Sequence, residues 1–133
     1  IQFQRRSENQ PIAANTQVIL GDSMGEMFAY YAACDVAFVG GSLLPLGGQN
    51  LLEACAMGKP VLIGPHTFNF AEAAELAVQA GAAQRVRDAA ARGDVLKSLF
   101  ADEARRKAMG EAGRAFCAKH QGATQKILQQ LRF

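Results

Sequence analysis

The chain has no tryptophan, two histidines, three cysteines, and no apolar run approaching the roughly 20 residues that cross a bilayer. It opens with no charged-then-apolar leader ending in a cleavage site. A start at Ile1 rather than Met reads as a piece of a longer protein, and the piece itself is expected to be soluble. Cys34, Cys55 and Cys117 are odd in number and lack any C-x-x-C spacing, which argues against a disulfide framework and against a structural metal site. Cys34 and Cys55 lie in apolar helical contexts, where a thiol serves as a small buried hydrophobe, and a reducing, cytoplasmic compartment fits them. No D-x-D pair is present to hold a divalent cation against a diphosphate, so no metal and no cofactor is expected. Neither a G-x-G-x-x-G fingerprint nor a P-loop occurs. No Ser/His/Asp or Cys/His arrangement and no pair of catalytic carboxylates can be picked out.

What is present is a chain of 133 residues, half of them hydrophobic and a fifth charged, which is one globular domain with a real core. Its net charge of +2 is unevenly spread. Residues 1–83 carry three basic and seven acidic groups, residues 84–133 eleven basic and five acidic. A basic C-terminal half is compatible with an anionic lipid or substrate. Solvated amphipathic helices explain it more simply. Aromatic residues do not interleave with the basic ones, so nucleic acid is excluded as a partner.

Short apolar runs alternate with helical stretches. Strands are predicted at Gln17–Leu20, Asp35–Val39, Pro60–Ile63 and Ala82–Val86, with a further one at Gln2–Arg5. Helices are predicted at Met24–Cys34, with Asp22 or Ser23 as its cap, at Asn50–Met57, stopped by Gly58, and at Phe70–Ala80, ended by Gly81. Leu43–Gln49 reads as a loop. Beyond Val86 the pattern is helical at Asp88–Phe100, Asp102–Lys119 and Thr124–Leu131, with Gly93, Gly110 and Gly113 as weak points. Fully apolar strands between helices imply an α/β fold, a Rossmann-like doubly wound parallel sheet covered on both faces.

Ligands of such a sheet bind beyond the carboxyl ends of its strands. Gly21–Glu26, Gly40–Glu53 and Gly64–Asn69 all lie there, each pairing glycine with a polar group at a helix start. Gly21-Asp22-Ser23-Met24-Gly25-Glu26 suits a phosphate cradle and an ordinary capped turn equally well. In Gly47-Gly48-Gln49-Asn50-Leu51-Leu52-Glu53, Asn50 and Glu53 share one helix side, and Glu53 can accept from vicinal ribose hydroxyls. Residue pattern alone favours a capping box between the two. Gly40-Gly41-Ser42 suits either an anion-binding loop or a plain turn. His66 reads as a hydrogen-bonded loop residue and His120 as a charge on a late helix.

The ordered set of segments resembles the C-terminal half of 3-deoxy-D-manno-octulosonate (Kdo) transferases of lipid A and lipopolysaccharide assembly. The matching stretches are Arg5-Arg6-Ser7, Val18 to Glu26, Asp35 to Ser42, Gly47 to Glu53, Gly58-Lys59-Pro60-Val61 and Gly64 to Phe70. The match is strongest from Thr16 to Ala83. It implies the donor-nucleotide-binding C-terminal domain of a two-domain GT-B glycosyltransferase, residues 1–133, truncated on its N-terminal side. By resemblance, Ser23, Met24, Gly25 and Glu26 contact the CMP portion of CMP-Kdo, and Asn50 and Glu53 lie beside the nucleotide. Gly41, Ser42, Gly47, Gly48 and Gln49 line the cleft between donor and acceptor. Gln49 stands where the family generally has His, so the resemblance carries hydrogen bonding to this position and leaves its proton-transfer role open.

The resemblance further implies an inverting transfer of Kdo from CMP-Kdo to the lipid A precursor. The catalytic base, acceptor groove and membrane anchor would belong to the missing N-terminal domain, with the parent protein at the cytoplasmic face of the inner membrane. The fragment alone is expected to be inactive, with no catalytic residue of its own. Two other functions remain open at this level: the donor domain of a UDP-sugar transferase, and a non-catalytic α/β module that dimerises through an exposed sheet edge.

Overall fold

The computed structural model describes residues 1–23 and 25–130, with side chains as far as Lys119. Among the described residues there are five strands, in parallel ladders, and five helices: β1 Phe3–Arg5, β2 Val18–Leu20, α1 Met27–Ala33, β3 Ala37–Phe38, α2 Leu52–Ala56, β4 Val61–Ile63, α3 Ala71–Gln79, β5 Ala83–Arg85, α4 Ala89–Ala101 and α5 Glu103–Gln130. Short 3-10 turns follow β1 at Arg6–Glu8 and precede α3 at Phe68–Phe70. The α/β class with parallel strands is as expected. The strands are arranged as two ladders, β1-β2 and β3-β4-β5, instead of one continuous sheet.

The centre of the larger ladder is β4, whose Val61, Leu62 and Ile63 are all fully buried. Side chains alternate across a strand, so one short apolar run feeds two cores. Val61 and Ile63 join Ala54, Cys55, Ala74, Ala77, Phe116 and Cys117 on one face. Leu62 meets Leu99 and Met109 on the other. By contrast, Phe3, Val18, Ile19 and Leu20 of the smaller ladder are about half exposed.

Helix ends follow local rules. Gly58 (φ 70°) and Gly81 (φ 81°) take the left-handed conformation just past α2 and α3. In both places two amides fold back on the last turn: Gly58 and Lys59 donate to Cys55 and Ala54, Gly81 and Ala82 to Val78 and Ala77. This double closure needs a residue without a Cβ penalty, which is why glycine stops both helices. Asp88 caps α4 by accepting from the Ala91 N–H at 2.8 Å. Asp102 does the same for α5 through the Arg105 N–H at 3.0 Å. Arg106 donates to the carbonyls of Leu99 and Phe100 at 2.5 and 2.8 Å, closing the end of α4.

Several expectations need correcting. Neither Asp22 nor Ser23 caps α1, which begins at Met27 with no side-chain cap on Glu26. The Asp22 carboxylate is occupied by Ser7, whose N–H and hydroxyl reach it at 2.9 and 2.6 Å. The helices placed at Asp102–Lys119 and Thr124–Leu131 are one element, α5, through Gln130, and Leu131 lies outside the described residues. Gly110 and Gly113 are therefore no weak points. A Cβ on Gly110 would stand 2.1 Å from the Gly58 carbonyl oxygen, and one on Gly113 3.1 Å from that of Cys55. Both glycines are buried with Met109, Phe116 and Cys117 on a stripe repeating every three or four residues, so α5 lies directly on the end of α2.

The three thiols are free. Burial raises all of them, and that of Cys55 is pushed up to about 12, so it is a packed hydrophobe as expected from its setting. Several basic residues of the C-terminal half, Arg106 among them, are engaged within the fold. Arg85 bridges Glu75 (2.8 Å) and the Gly64 carbonyl (3.0 Å). Arg92 sits 5.0 Å above the Phe38 ring and Arg105 bonds Gln84. The side chain of His120 lies outside the described residues.

Replacing Gly110 by Ala should destabilise the protein by about 1–3 kcal/mol, because the clash is with backbone. Gly93→Ala, in open space on α4, should be neutral or gain up to about 1 kcal/mol from helix propensity. Urea unfolding of the two variants checks the contrast.

Candidate functional site

Beyond the carboxyl end of β3 the chain runs through Gly40 to Asn50 before entering α2. Ser42 organises this loop. Its side chain is fully buried. The hydroxyl donates to the Val39 carbonyl at 2.6 Å and accepts from the Gly64 N–H at 2.8 Å, joining the ends of β3 and β4. The His66 N–H adds a bond to the Ser42 carbonyl at 2.9 Å. A Cβ on Gly64 would lie 2.3 Å from that carbonyl oxygen, so only glycine permits the approach.

The loop then closes on itself. Gly48 N–H donates to Gly41 O at 3.0 Å and Gln49 N–H to Gly40 O at 3.2 Å, while the Asn69 N–H holds Gly47 O at 3.0 Å. Gly41, Gly47 and Gly48 all have positive φ along this path. At its end the Asn50 Oδ1 accepts from the Leu52 N–H at 3.0 Å, which shapes the entry into α2. The capping box between Asn50 and Glu53 does not form. The N-terminus of α2 carries no side-chain cap, and no hydrogen bond or ion pair engages the Glu53 carboxylate among the described residues.

A cleft of about 470 Å³ opens between this loop and α1. Gln49, Asn50 and Glu53 line it from one side, Met27 and Tyr31 from α1, and Phe38, Val39 and Gly40 from the end of β3. Glu53 thus presents an unengaged carboxylate to the cavity. The Tyr31 phenol faces the same space, held above its ordinary value first by burial and then by the Glu53 charge, so it stays a hydrogen-bond donor. One face of the cavity is apolar and aromatic, and the other carries an amide, a second amide and a carboxylate. That combination suits a flat ring joined to a polyhydroxylated, hydrogen-bonding group.

The other expected residues are placed differently. Ser23, Gly25 and Glu26 lead into Met27 but do not themselves line the cleft. The Ser23 hydroxyl is bonded to the Tyr30 phenol. Glu26 is held below the usual carboxylate range by a hydrogen bond from Ser23 and by Arg6 at 3.1 Å. Met24 lies outside the described residues. Ser42, Gly47 and Gly48 are buried beneath the loop and do not line the cavity, so they shape the cleft wall from behind; Gly41 is half-buried. His66 contributes its backbone only. Met27, Tyr31 and Phe38 escape a reading of the sequence, although Met27 and Tyr31 stand one helical turn apart directly after the Gly25-Glu26 turn. Among the described residues no three His, Cys, Asp or Glu side chains converge as a metal site, and no helix is long and apolar enough to cross a membrane.

Comparison with known proteins adds a family. Residues 2–116 match the family model described as glycosyl transferases group 1. The chain is 59% identical over 114 residues to a 3-deoxy-D-manno-octulosonic acid transferase of Bordetella pertussis, covering 86% of this chain and 27% of that protein. It is 42% identical over 132 residues to the enzyme of the same name from Haemophilus influenzae, covering 98% and 31%. The chain therefore spans about a third or less of the length of these relatives. Among solved structures, the C-terminal CMP-Kdo binding domain of WaaA from Acinetobacter baumannii superposes with a TM-score of 0.82 at 35% identity, over 87% of this chain and 61% of that one.

Ser42→Ala should cost about 1–3 kcal/mol, the penalty of leaving the buried Gly64 N–H without its acceptor. Thermal or urea unfolding measures it; an unchanged midpoint would show that the hydroxyl does not join the two strand ends.

Proposed function

The chain belongs to the glycosyl transferases group 1 family, and on that premise we propose that its cleft binds the nucleotide of CMP-Kdo, as the donor-binding part of an inverting transferase that moves Kdo to a lipid A precursor. The observation that carries the proposal is the unengaged Glu53 carboxylate facing Tyr31 across a cavity of nucleoside size at a strand end. The likeness to a solved CMP-Kdo binding domain at 35% identity supports the same donor.

In this reading the ribose hydroxyls donate to Glu53, and the pyrimidine lies against Met27, Tyr31 and Phe38. Asn50 and the exposed Gln49 amide stand beside the nucleotide and the sugar. Ser23, Gly25 and Glu26 flank the site on the α1 side. During transfer an acceptor hydroxyl attacks the anomeric carbon from the face opposite the phosphate. Its proton goes to a base outside this chain, and the bond to the phosphate oxygen breaks to release CMP with inversion. The Glu53 carboxylate is itself an anion, so it meets hydroxyl or base donors and not the phosphate. Metal independence is part of the proposal: a monophosphate leaving group develops less charge than a diphosphate, and main-chain and side-chain dipoles can stabilise it.

The parent protein, in this reading, works at the cytoplasmic face of the inner membrane, with the acceptor held by a further domain. The half-exposed Phe3 and Val18–Leu20 of the split ladder support the proposal that this chain is part of a larger donor domain. The same residues favour a second reading, self-association of a non-catalytic module through the β1-β2 ladder.

Calorimetry separates the two. CMP should bind and UDP should bind more weakly, with no change on adding a chelator. Glu53→Ala should weaken CMP by roughly 1–3 kcal/mol, the scale of a lost charged hydrogen-bond acceptor. An equal preference for UDP would reassign the donor, and an unchanged Glu53→Ala titration would remove Glu53 from the site. No nucleotide binding, together with a stable dimer by light scattering, would favour self-association.

A further inference from the structure

The Arg5-Arg6-Ser7 segment does not line the cleft. Arg5 ends β1, the 3-10 turn Arg6–Glu8 follows it, and Arg6 and Ser7 reach across to the segment that enters α1. Ser7 grips the beginning of that segment: its N–H and its hydroxyl both donate to the Asp22 carboxylate, at 2.9 and 2.6 Å. Arg6 grips the end: one guanidinium nitrogen donates to Glu26 Oε2 at 3.1 Å and another to Asn9 Oδ1 at 2.7 Å. Asn9 is the one non-glycine residue with positive φ (52°) among the described residues, and its backbone N–H closes on the Arg6 carbonyl. The guanidinium is therefore anchored on its own side before it reaches across.

Between the two grips lies Gly25, with φ of 76° and nothing within 4 Å of where a Cβ would be. Gly25 itself has open space around it, Ser23 is tied back to Tyr30 of α1, and Arg6 and Ser7 add polar contacts from a neighbouring element. Immediately after Glu26 come Met27 and Tyr31, two walls of the cleft. We infer that Arg6 and Ser7 are positioning residues, a two-point clamp that holds Asp22 and Glu26 and thereby sets how α1 presents Met27 and Tyr31 to the donor. The assignment to a donor rests on the function proposed above.

The two grips differ in kind. Ser7–Asp22 pairs a hydroxyl and an amide with one carboxylate, whereas Arg6–Glu26 joins full charges across 20 residues of chain. Lysine cannot replace Arg6, because a single ammonium does not present the planar fork that spans Asn9 and Glu26 together.

The test uses the 133-residue chain and its Arg6→Gln, Arg6→Lys and Ser7→Ala variants. Amide hydrogen exchange at Ser23 and Gly25 should accelerate at least threefold in Arg6→Gln and Ser7→Ala, while amides of β4 and α5 exchange as in the parent. The Glu26 side-chain carbon, followed by NMR through an acid titration, should shift its midpoint upward in Arg6→Gln and stay put in Ser7→Ala. CMP affinity should fall three- to tenfold in both, and Arg6→Lys should restore the Glu26 midpoint only partly and the exchange hardly at all. Unchanged exchange at Ser23 and Gly25 would overturn the clamp whether or not CMP binds. If exchange accelerates and the parent chain binds CMP but the variants bind it equally well, the positioning role is overturned. If the parent chain binds no CMP, the donor reading falls, and exchange alone decides whether the clamp exists.

Discussion

The buried hydroxyl of Ser42 is the constraint on which the rest depends. Two strand ends carry carbonyl and amide groups that the ladder no longer pairs, and burial leaves them no water. One side chain satisfies both by giving its proton to Val39 and taking the Gly64 N–H. The bond requires the backbone of Gly64 to pass against that of Ser42, so the residue at 64 has no room for a Cβ. With these ends joined, the following loop is held at both margins, by Gly40 and Gly41 on one side and Asn69 on the other. Its exit is then fixed, and α2 begins where Asn50 and Glu53 face α1.

The electrostatics of the cleft follow from this placement. Glu53 has lost its alternative partner, since the entry to α2 is shaped by Asn50 acting on the Leu52 N–H. A half-buried carboxylate without a donor is an open hydrogen-bonding position that a ligand can fill. Tyr31, kept protonated by its surroundings, supplies a donor opposite. Such a pair discriminates by hydrogen bonding and not by net charge, and the proposed binding of an anionic nucleotide rests on that. The surplus positive charge of the C-terminal half plays another part: Arg85, Arg92, Arg105 and Arg106 are engaged with carbonyls, a ring and neighbouring side chains.

Much of the fold was legible because its signals are local. The apolar triplet Val61-Leu62-Ile63 could only be a covered strand, and Gly58 and Gly81 stop their helices through bonds within one turn. The parts that were not legible depend on residues distant in sequence. Asp22 looks like a helix cap until Ser7, 15 residues earlier, claims its carboxylate. Gly110 and Gly113 look like defects in α5 until the carbonyls of Gly58 and Cys55 are seen against them. The split into two ladders has no sequence signature, since strand patterning reports burial and not which strands are neighbours. Gln49, Asn50 and Glu53, singled out from the loop and helix start they share, line the cavity beyond β3. Ser42, Gly47 and Gly48 are buried and do not line that cavity, and a strand-end loop in a sequence does not say which of its residues turn inward. Tyr31 and Phe38 were overlooked because aromatic residues in apolar elements read as core.

Amide chemical-shift mapping of the chain during a CMP titration tests the central claim most directly. Perturbations are expected at Gly25, Met27, Tyr31, Gly40, Gln49 and Glu53, and not along α4 and the outer turns of α5. Perturbations centred instead on the arginine-lined cavity beside Gln4 and Ile12, or none at saturating CMP, would contradict it.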